Sequence, residues 1–483
     1  MKKTTVKQLA LTVSCLALSG ISAAQAQDTL VPLNAAAPAA APAPIAAPAS
    51  TPARATEMSL GQAVSVGVMT NPGYGIVAAS RRATDEELNQ ARALYRPSID
   101  FRGDTGLEYT DNATTRAPGG DDNETLWRYE AGVTLTQMLF DGWGTKYENQ
   151  RQRHRVESSA HRVTESSELI GMAIVEAFLE VMRQRELLAI TQENVAEHIA
   201  IMGMIEEGVN AGRSTQADLE QIKARLSAAR AQESTIRQSL RVAESQFNRQ
   251  VGSAPRDLIL PGVPVNALAQ DVEAEVQQAL GNSPTLAIRA SDENVAYSEY
   301  KGTGSTLYPQ LDLQLNARTG DNLRGVENEH DTSASALAVV NWNLYRGGAD
   351  VARVREHSHR YQQSKEEYAD TARSIEDDVR QTWARMVSSG ERAREFSAQA
   401  AANTEVVRAY KDQFSLDRRT LLDVLDAQNE LFVSRSNTIN AEFLEMFSVF
   451  RLLALKGQLL PTLGVAYPRE AASIGAKLEN IDR

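Results

Sequence analysis

Two periodicities divide this chain between them. From 99 to 109 the odd positions are mostly apolar (Ile99, Phe101, Leu107, Tyr109) and the even ones mostly polar (Asp100, Arg102, Asp104, Glu108), the period of two that marks a strand with one wet face. A polar loop rich in Asp, Asn and Gly follows over 110–125. A second alternating run over 127–139 then places Trp127, Tyr129, Ala131, Val133 and Leu135 on one side. The pattern recurs at Leu311, Leu313, Leu315 and Ala317, and again at Ala334, Ala336, Ala338, Val340 and Trp342. Four strands of roughly ten residues are expected, the length that crosses an outer membrane when tilted.

Between the strand pairs the period lengthens to seven. Ile174, Val181, Leu188, Val195, Met202 and Val209 form one apolar series, and Val379, Met386, Ala393, Ala400, Val407 and Phe414 form another. Sustained heptads predict coiled-coil packing. The first such helix is expected over 144–210 and at ~1.5 Å per residue would be about 100 Å long. Return helices are expected to start near Thr215 and Thr420. Each copy is then a hairpin of helices below a hairpin of strands, and small residues such as Ala393 and Ala400 would let helices approach closely and form a hollow, curved wall.

The two series belong to a tandem repeat. Leu60 and Pro72 match Val272 and Pro284, and Arg96-Pro97 matches Tyr308-Pro309, at an offset of 212 residues. Leu139-Phe140-Asp141-Gly142 matches Leu344-Tyr345-Arg346-Gly347, and 213–218 matches 418–423, at an offset of 205. The change of offset falls between the two strands of each copy, as a shorter second loop would produce. Two copies are expected, over 58–262 and 263–460, each opening on a helix-like segment that ends at a proline. A tail follows over 461–483.

The ends and the composition set the compartment. Lys2 and Lys3 precede an apolar run, and Ala24-Gln25-Ala26 suits a signal peptidase, so a signal peptide over 1–26 is expected. The single cysteine, Cys15, lies within it, which leaves a mature chain without disulfides or cysteine-bound metal; its alternative role as a lipid acceptor has poor sequence context. An Ala/Pro-rich linker spans 27–57. No later run is long and apolar enough for a membrane helix; 446–463 is broken by Arg451, Lys456 and Pro461. A net charge of -12 speaks against a nucleic-acid partner. Four strands cannot close a barrel, for which about eight are needed, so several chains must share one if lipid surrounds them. The alternative, a half-buried sheet in a soluble sandwich, is disfavoured by the long helices.

Enzyme chemistry finds little support. His357 and His359 point to opposite sides of a predicted helix, and His154 and His161 share a face without an acidic partner at ligand spacing, so neither a metal nor another cofactor is expected. Gly302-Thr303-Gly304-Ser305 lacks the lysine of a phosphate loop and reads as a helix end. The carboxylates Asp423 and Asp426, three residues apart, are more informative. Thr420 and Asp423 read as a helix N-cap and its box partner, as do Thr215 and Asp218, and Arg419 stands within reach of Asp423.

Asn71-Pro72, Arg96-Pro97, Leu139-Phe140-Asp141-Gly142, the run Leu344-Tyr345-Arg346-Gly347-Gly348 and, above all, Arg419-Thr420-Leu421-Leu422-Asp423-Val424-Leu425-Asp426-Ala427 resemble the TolC family of outer-membrane efflux and secretion channels. The resemblance spans about 60–460. It implies a mixed α and β membrane protein, a trimer in which four strands per chain make a twelve-stranded outer-membrane β-barrel continued by a long periplasmic α-helical coiled-coil barrel. It also implies that Asp423 and Asp426 line a narrow periplasmic entrance, while Arg419 and Asp218 take part in the links that hold it shut. Like charges so gathered favour shared protons or bound cations, hence cation selectivity and block by multivalent cations. Capping and solvent exposure alone remain the plainer account of the two aspartates. Asp417 stands where the family has a turn glycine, and Phe414 where a gate tyrosine often sits. The branch most similar is the exit duct of type I secretion, with a periplasmic adaptor, an inner-membrane ABC transporter and a secreted protein cargo as partners and outer-membrane lipid around the barrel. The drug-efflux outlet is the alternative, and a poreless periplasmic scaffold a third.

Overall fold

The computed structural model describes residues 57–117, 123–416 and 418–473. The expected signal peptide with Cys15, all but the last residue of the Ala/Pro-rich linker, Asp417 and the end of the tail lie outside these residues. The chain runs α1 (Leu60–Thr70), α2 (Pro72–Ala93), β1 (Ser98–Thr110), β2 (Glu124–Phe140), α3 (Gly144–Asn210) and α4 (Gln216–Val251). The same order then repeats as α5 (Val272–Asn282), α6 (Pro284–Thr303), β3 (Gln310–Asp321), β4 (His330–Asn341), α7 (Ala349–Ser415) and α8 (Leu421–Leu455), followed by the short α9 (Leu459–Thr462). The repeat is metrical as well as sequential: α3 and α7 each have 67 residues, and α1 and α5 each have 11.

The opening segment of each copy is two helices, not one ending at a proline. Asn71 closes α1 in an extended conformation and its side chain accepts a hydrogen bond from Gly73 N, while Pro72 takes the first helical position of α2. A proline there loses no hydrogen bond, because that N–H has no intrahelical acceptor. Ser283 and Pro284 take the same positions at α6, although the Ser283 side chain makes no cap hydrogen bond.

The four strands form one antiparallel sheet in chain order. Phe101 lies opposite Val133, Val133 opposite Ala317, and Ala317 opposite Ala334, so the apolar positions of all four strands share a face. That face is bare within one chain, with Phe101 75% exposed. On the other face Arg128 bonds Asp104 at 2.8 Å, Glu108 at 2.9 Å and Glu130 at 2.6 Å. β4 stops at Asn341, so Trp342, expected within the strand, lies beyond it.

The long helices bury half of the predicted heptad positions: Ile174, Val181 and Val195 in α3, and Val379, Ala393 and Val407 in α7, are buried, while Leu188, Met202, Val209, Met386, Ala400 and Phe414 are half-buried within one chain. A second stripe three residues on is buried too, and it is partly polar: Ala177, Gln184, Thr191, His198 and Ile205. Hydrophobicity alone could not reveal it; Thr191 satisfies its hydroxyl on the Leu187 carbonyl at 2.6 Å.

The main core gathers Leu60, Val64 and Val68 of α1, Ile174 and Phe178 of α3, Phe247 and Val251 of α4, Phe450 and Leu453 of α8, and Leu459 and Leu460 of α9. Lys456 is buried, not a surface charge interrupting an apolar run. Its Nζ stands 3.0 Å from Glu275 Oε1 of α5 and donates to the Ala267 carbonyl at 2.7 Å. Glu168 of α3 is also buried and accepts from the backbone N–H groups of Leu459 at 3.1 Å and Leu460 at 3.2 Å, which ties the start of α9 to α3. Tyr467 donates its hydroxyl to the same carboxylate.

Candidate functional site

The two helical hairpins turn at equivalent points. In the first, Gly212 adopts φ of 71°, the N–H of Arg213 bonds the Gly208 carbonyl at 2.8 Å, and that of Gly212 bonds the Val209 carbonyl at 3.0 Å. This pair of bonds closes the last carbonyls of α3 in a Schellman motif, which a left-handed glycine permits. In the second turn the Arg418 N–H bonds the Gln413 carbonyl at 2.9 Å, the counterpart of the Arg213 bond.

Both return helices start with full capping boxes. Thr215 Oγ1 accepts from Asp218 N at 3.1 Å, and Asp218 Oδ2 accepts from Thr215 N at 3.0 Å. At α8, Thr420 Oγ1 accepts from Asp423 N at 3.3 Å, and Asp423 Oδ2 accepts from Thr420 N at 3.1 Å and from the Thr420 hydroxyl at 2.8 Å. The Thr420 hydroxyl and backbone, with the nearby Arg419 charge, hold the Asp423 carboxyl below the usual carboxylate range. Within one chain Asp218 is thus committed to its own cap, apart from Arg419.

Arg419 is held at the end of α7 by three groups. Its Nε donates to Gln413 Oε1 at 3.1 Å, its guanidinium lies 4.2 Å from the centre of the Tyr410 ring, and its Nη1 stands 3.9 Å from Asp423 Oδ1. Asp426 faces elsewhere: Arg225 of α4 donates to its Oδ1 at 3.4 Å. Both members of that pair are exposed, Asp426 by 58%, so the link contributes about 0–1 kcal/mol. Arg225, Tyr410 and Gln413 were not among the residues expected at this site. Only the packing of the two hairpins beside each other brings Arg225 to Asp426.

Phe414 points inward. It packs, half-buried, with Tyr410, Val209 and Leu219 against a core of Ile201, Ile205, Ile222, Leu421, Val424 and Leu425 that unites both hairpin tips. Above the tips, Lys411 of α7 pairs with Glu197 of α3, and Arg435 of α8 bonds Glu193 of α3 at 2.8 Å. Three of the six histidines have an acidic neighbour: His154 lies 3.8 Å from Glu157, His357 4.0 Å from Glu299, and His330 2.9 Å from Asp321. These are separate pairs on different elements.

A profile of the family described as outer membrane efflux protein matches residues 75–253 and 276–453, one segment in each repeat. The chain is 26% identical over 388 residues to the outer membrane efflux protein BepC of Brucella suis biovar 1 (strain 1330), covering 79% of this chain and 81% of the relative. It is 24% identical over 378 residues to the proteases secretion protein PrtF of Dickeya chrysanthemi, covering 75% of this chain and 80% of the relative. Among solved structures, the outer membrane protein VceC of Vibrio cholerae superposes with a TM-score of 0.70 at 13% identity, over 85% of this chain and 97% of that one.

Proposed function

The chain belongs to the outer membrane efflux protein family, as an outer-membrane channel protein that extends into the periplasm and not an enzyme, and on that premise we propose that it is the exit duct of a type I secretion system. Three copies pool their four-stranded sheets into a twelve-stranded barrel, and their helical hairpins continue it as a periplasmic tube. An inner-membrane ABC transporter and a periplasmic adaptor feed an unfolded protein into it. The observation that carries this reading is the run from Arg419 to Phe432 with its capped, acidic start, together with likeness to a protease-secretion protein.

At the tube's periplasmic end Asp423 and Asp426 of each copy line the aperture. Arg419 and Asp218, each tied within its own chain, become available for links between neighbouring chains only after their present partners yield. Phe414 supports the closed tip by apolar packing and offers no hydroxyl to it.

A specific observation also supports the drug-efflux reading: the similarity to an efflux protein reaches 26% identity. Deleting the gene separates the two. Disappearance of a large secreted protein from the medium, with drug tolerance intact, is expected; drug sensitivity with normal secretion would transfer the protein to the efflux role. Absence of ion conductance in planar bilayers would instead favour the poreless scaffold.

A further inference from the structure

All four strands meet the helices at one end of the sheet: β1 starts at Ser98, β2 ends at Phe140, β3 starts at Gln310 and β4 ends at Asn341. An aromatic rim marks that end. Phe140 and Trp143 pack edge to face with ring centres 5.2 Å apart, Trp143 and Tyr308 likewise at 5.4 Å, and Trp342 stands exposed just after β4. Aromatic side chains collect in this way where hydrocarbon gives way to headgroups.

The first turns of the two long helices leave this rim, and they are basic. Residues 141–155 and their repeat equivalents 346–360 each hold four Lys or Arg against two Asp or Glu, in a chain whose net charge is -12. The acidic groups are engaged close by: Asp141 accepts from the Thr145 N–H, Glu148 pairs with Arg151, Asp350 with Arg346 and Glu356 with Arg360. Lys146, Arg153, Arg353 and Arg355 are exposed and have no ion-pair partner among the described residues.

Three of these four share a face. Val351, the repeat equivalent of Lys146, is exposed; Arg355 follows it by one turn, and Arg153 follows Lys146 by seven residues. Val351 also continues the exposed apolar series of Val340, Trp342 and Leu344, which brings the apolar side of the sheet down onto the helices. Arg353, two residues from both Val351 and Arg355, points to another side of α7.

Resting on the outer-membrane reading above, we infer that Lys146, Arg153 and Arg355 form a collar that binds the headgroups of net-anionic phospholipids in the periplasmic leaflet. Guanidinium and ammonium groups suit phosphate oxygens, and these three are free to take them. Cα–Cβ bonds lean toward a helix's N-terminus, which for α3 and α7 is the membrane end, so the cations reach back toward the aromatic rim. At ~1.5 Å per residue their backbones lie about 3–14 Å beyond the start of each helix. The headgroup layer is roughly 5–8 Å thick on each side, and long basic side chains snorkel across the remainder.

The test uses the full chain with Trp127→Phe, which removes the tryptophan at the far end of the sheet and keeps Trp143 and Trp342 beside the collar. The protein is reconstituted into mixed vesicles of phosphatidylcholine and phosphatidylglycerol in which one lipid or the other carries brominated chains that quench tryptophan on contact. The ratio of the two quenching curves gives the preference for the anionic lipid. A preference of about fivefold, the effect of one cation placed near an anionic surface, is expected. It should fall to parity in Lys146→Gln with Arg153→Gln and Arg355→Gln, and persist in Arg353→Gln. Parity in the parent protein, a preference that survives the triple variant, or an equal loss in Arg353→Gln overturns the collar, while quenching by both lipids leaves the membrane reading standing. Absence of quenching by either lipid overturns that reading and the collar with it.

Discussion

Asp423 and Asp426 share a helix and differ in their surroundings. Asp423 is spent on its cap: its carboxylate holds the Thr420 N–H and hydroxyl, and these donors lower its pKa. A depressed carboxyl stabilises the fold above its unfolded pKa and loses that contribution as pH falls through its lower folded value. Cation block at the aperture is therefore expected to persist below the pH at which a free aspartate protonates, which a pH series of single-channel recordings measures. Thr420→Ala removes one side of the box and should cost about 1 kcal/mol in the first turn of α8, seen as faster amide exchange there. Asp426 is the freer charge; among the described residues its ion-pair partner is Arg225 at 3.4 Å. Arg225→Ala is expected to strengthen block by trivalent cations, and Asp423→Ala combined with Asp426→Ala to abolish it. Unchanged block in both variants would remove these aspartates from the aperture.

At the scale of elements, close contacts between helices depend on residues with no side chain to lose. A methyl group added at Gly67 of α1 would stand 2.4 Å from Ile174 Cδ1 and 3.2 Å from the Gln250 carbonyl, so the buried Ile174 side chain would have to shift for α1 to stay this close to α3 and α4. Gly67→Ala should destabilise the main core by about 1–3 kcal/mol, measured by denaturant titration of the solubilised protein. The docking of α9 onto α3 carries its own pH dependence. Burial pushes the Glu168 carboxyl up to about 7 against the hydrogen bonds it accepts. Protonated, Glu168 can donate to Tyr467 Oη, which frees the tyrosine hydrogen for the Gly457 carbonyl at 2.7 Å. A raised folded pKa means that this stabilisation is complete below the unfolded value near 4.5 and fades as pH rises through about 7. The docked 459–473 segment should loosen over that window by up to about 3 kcal/mol, read by amide exchange corrected for intrinsic rates. Glu168→Gln should flatten the dependence.

For the whole molecule, the governing fact is incompleteness. One chain presents a continuous apolar sheet face and two unpaired sheet edges, and no rearrangement of four strands closes a cylinder. In a water-soluble protein such a sheet would need a second layer over Phe101, Leu107 and Tyr109, all of them exposed here. Lipid is the layer that family membership supplies. Assembly is consequently expected to be a condition of stability: variants that block the β1 or β4 edge, such as Val340→Pro, should fail to yield heat-resistant oligomers from membranes while the helical hairpins retain their far-ultraviolet dichroism.

Local patterns placed the strands to within a few residues and, with the turn residues at either end, the limits of α3, because alternation and heptads are properties of neighbouring residues. The repeat was equally legible, since offsets of 212 and 205 connect pairs that the chain itself carries. Capping at Thr215 and Thr420 needed three residues of context and no more. Tertiary structure decided what distant segments do to one another. It paired Asp426 with Arg225 and Lys456 with Glu275, stacked Arg419 on Tyr410, and buried a polar stripe from Gln184 to His198. A charge or an amide looks the same in sequence whether water or a partner receives it; only the approach of two helices distinguishes the cases.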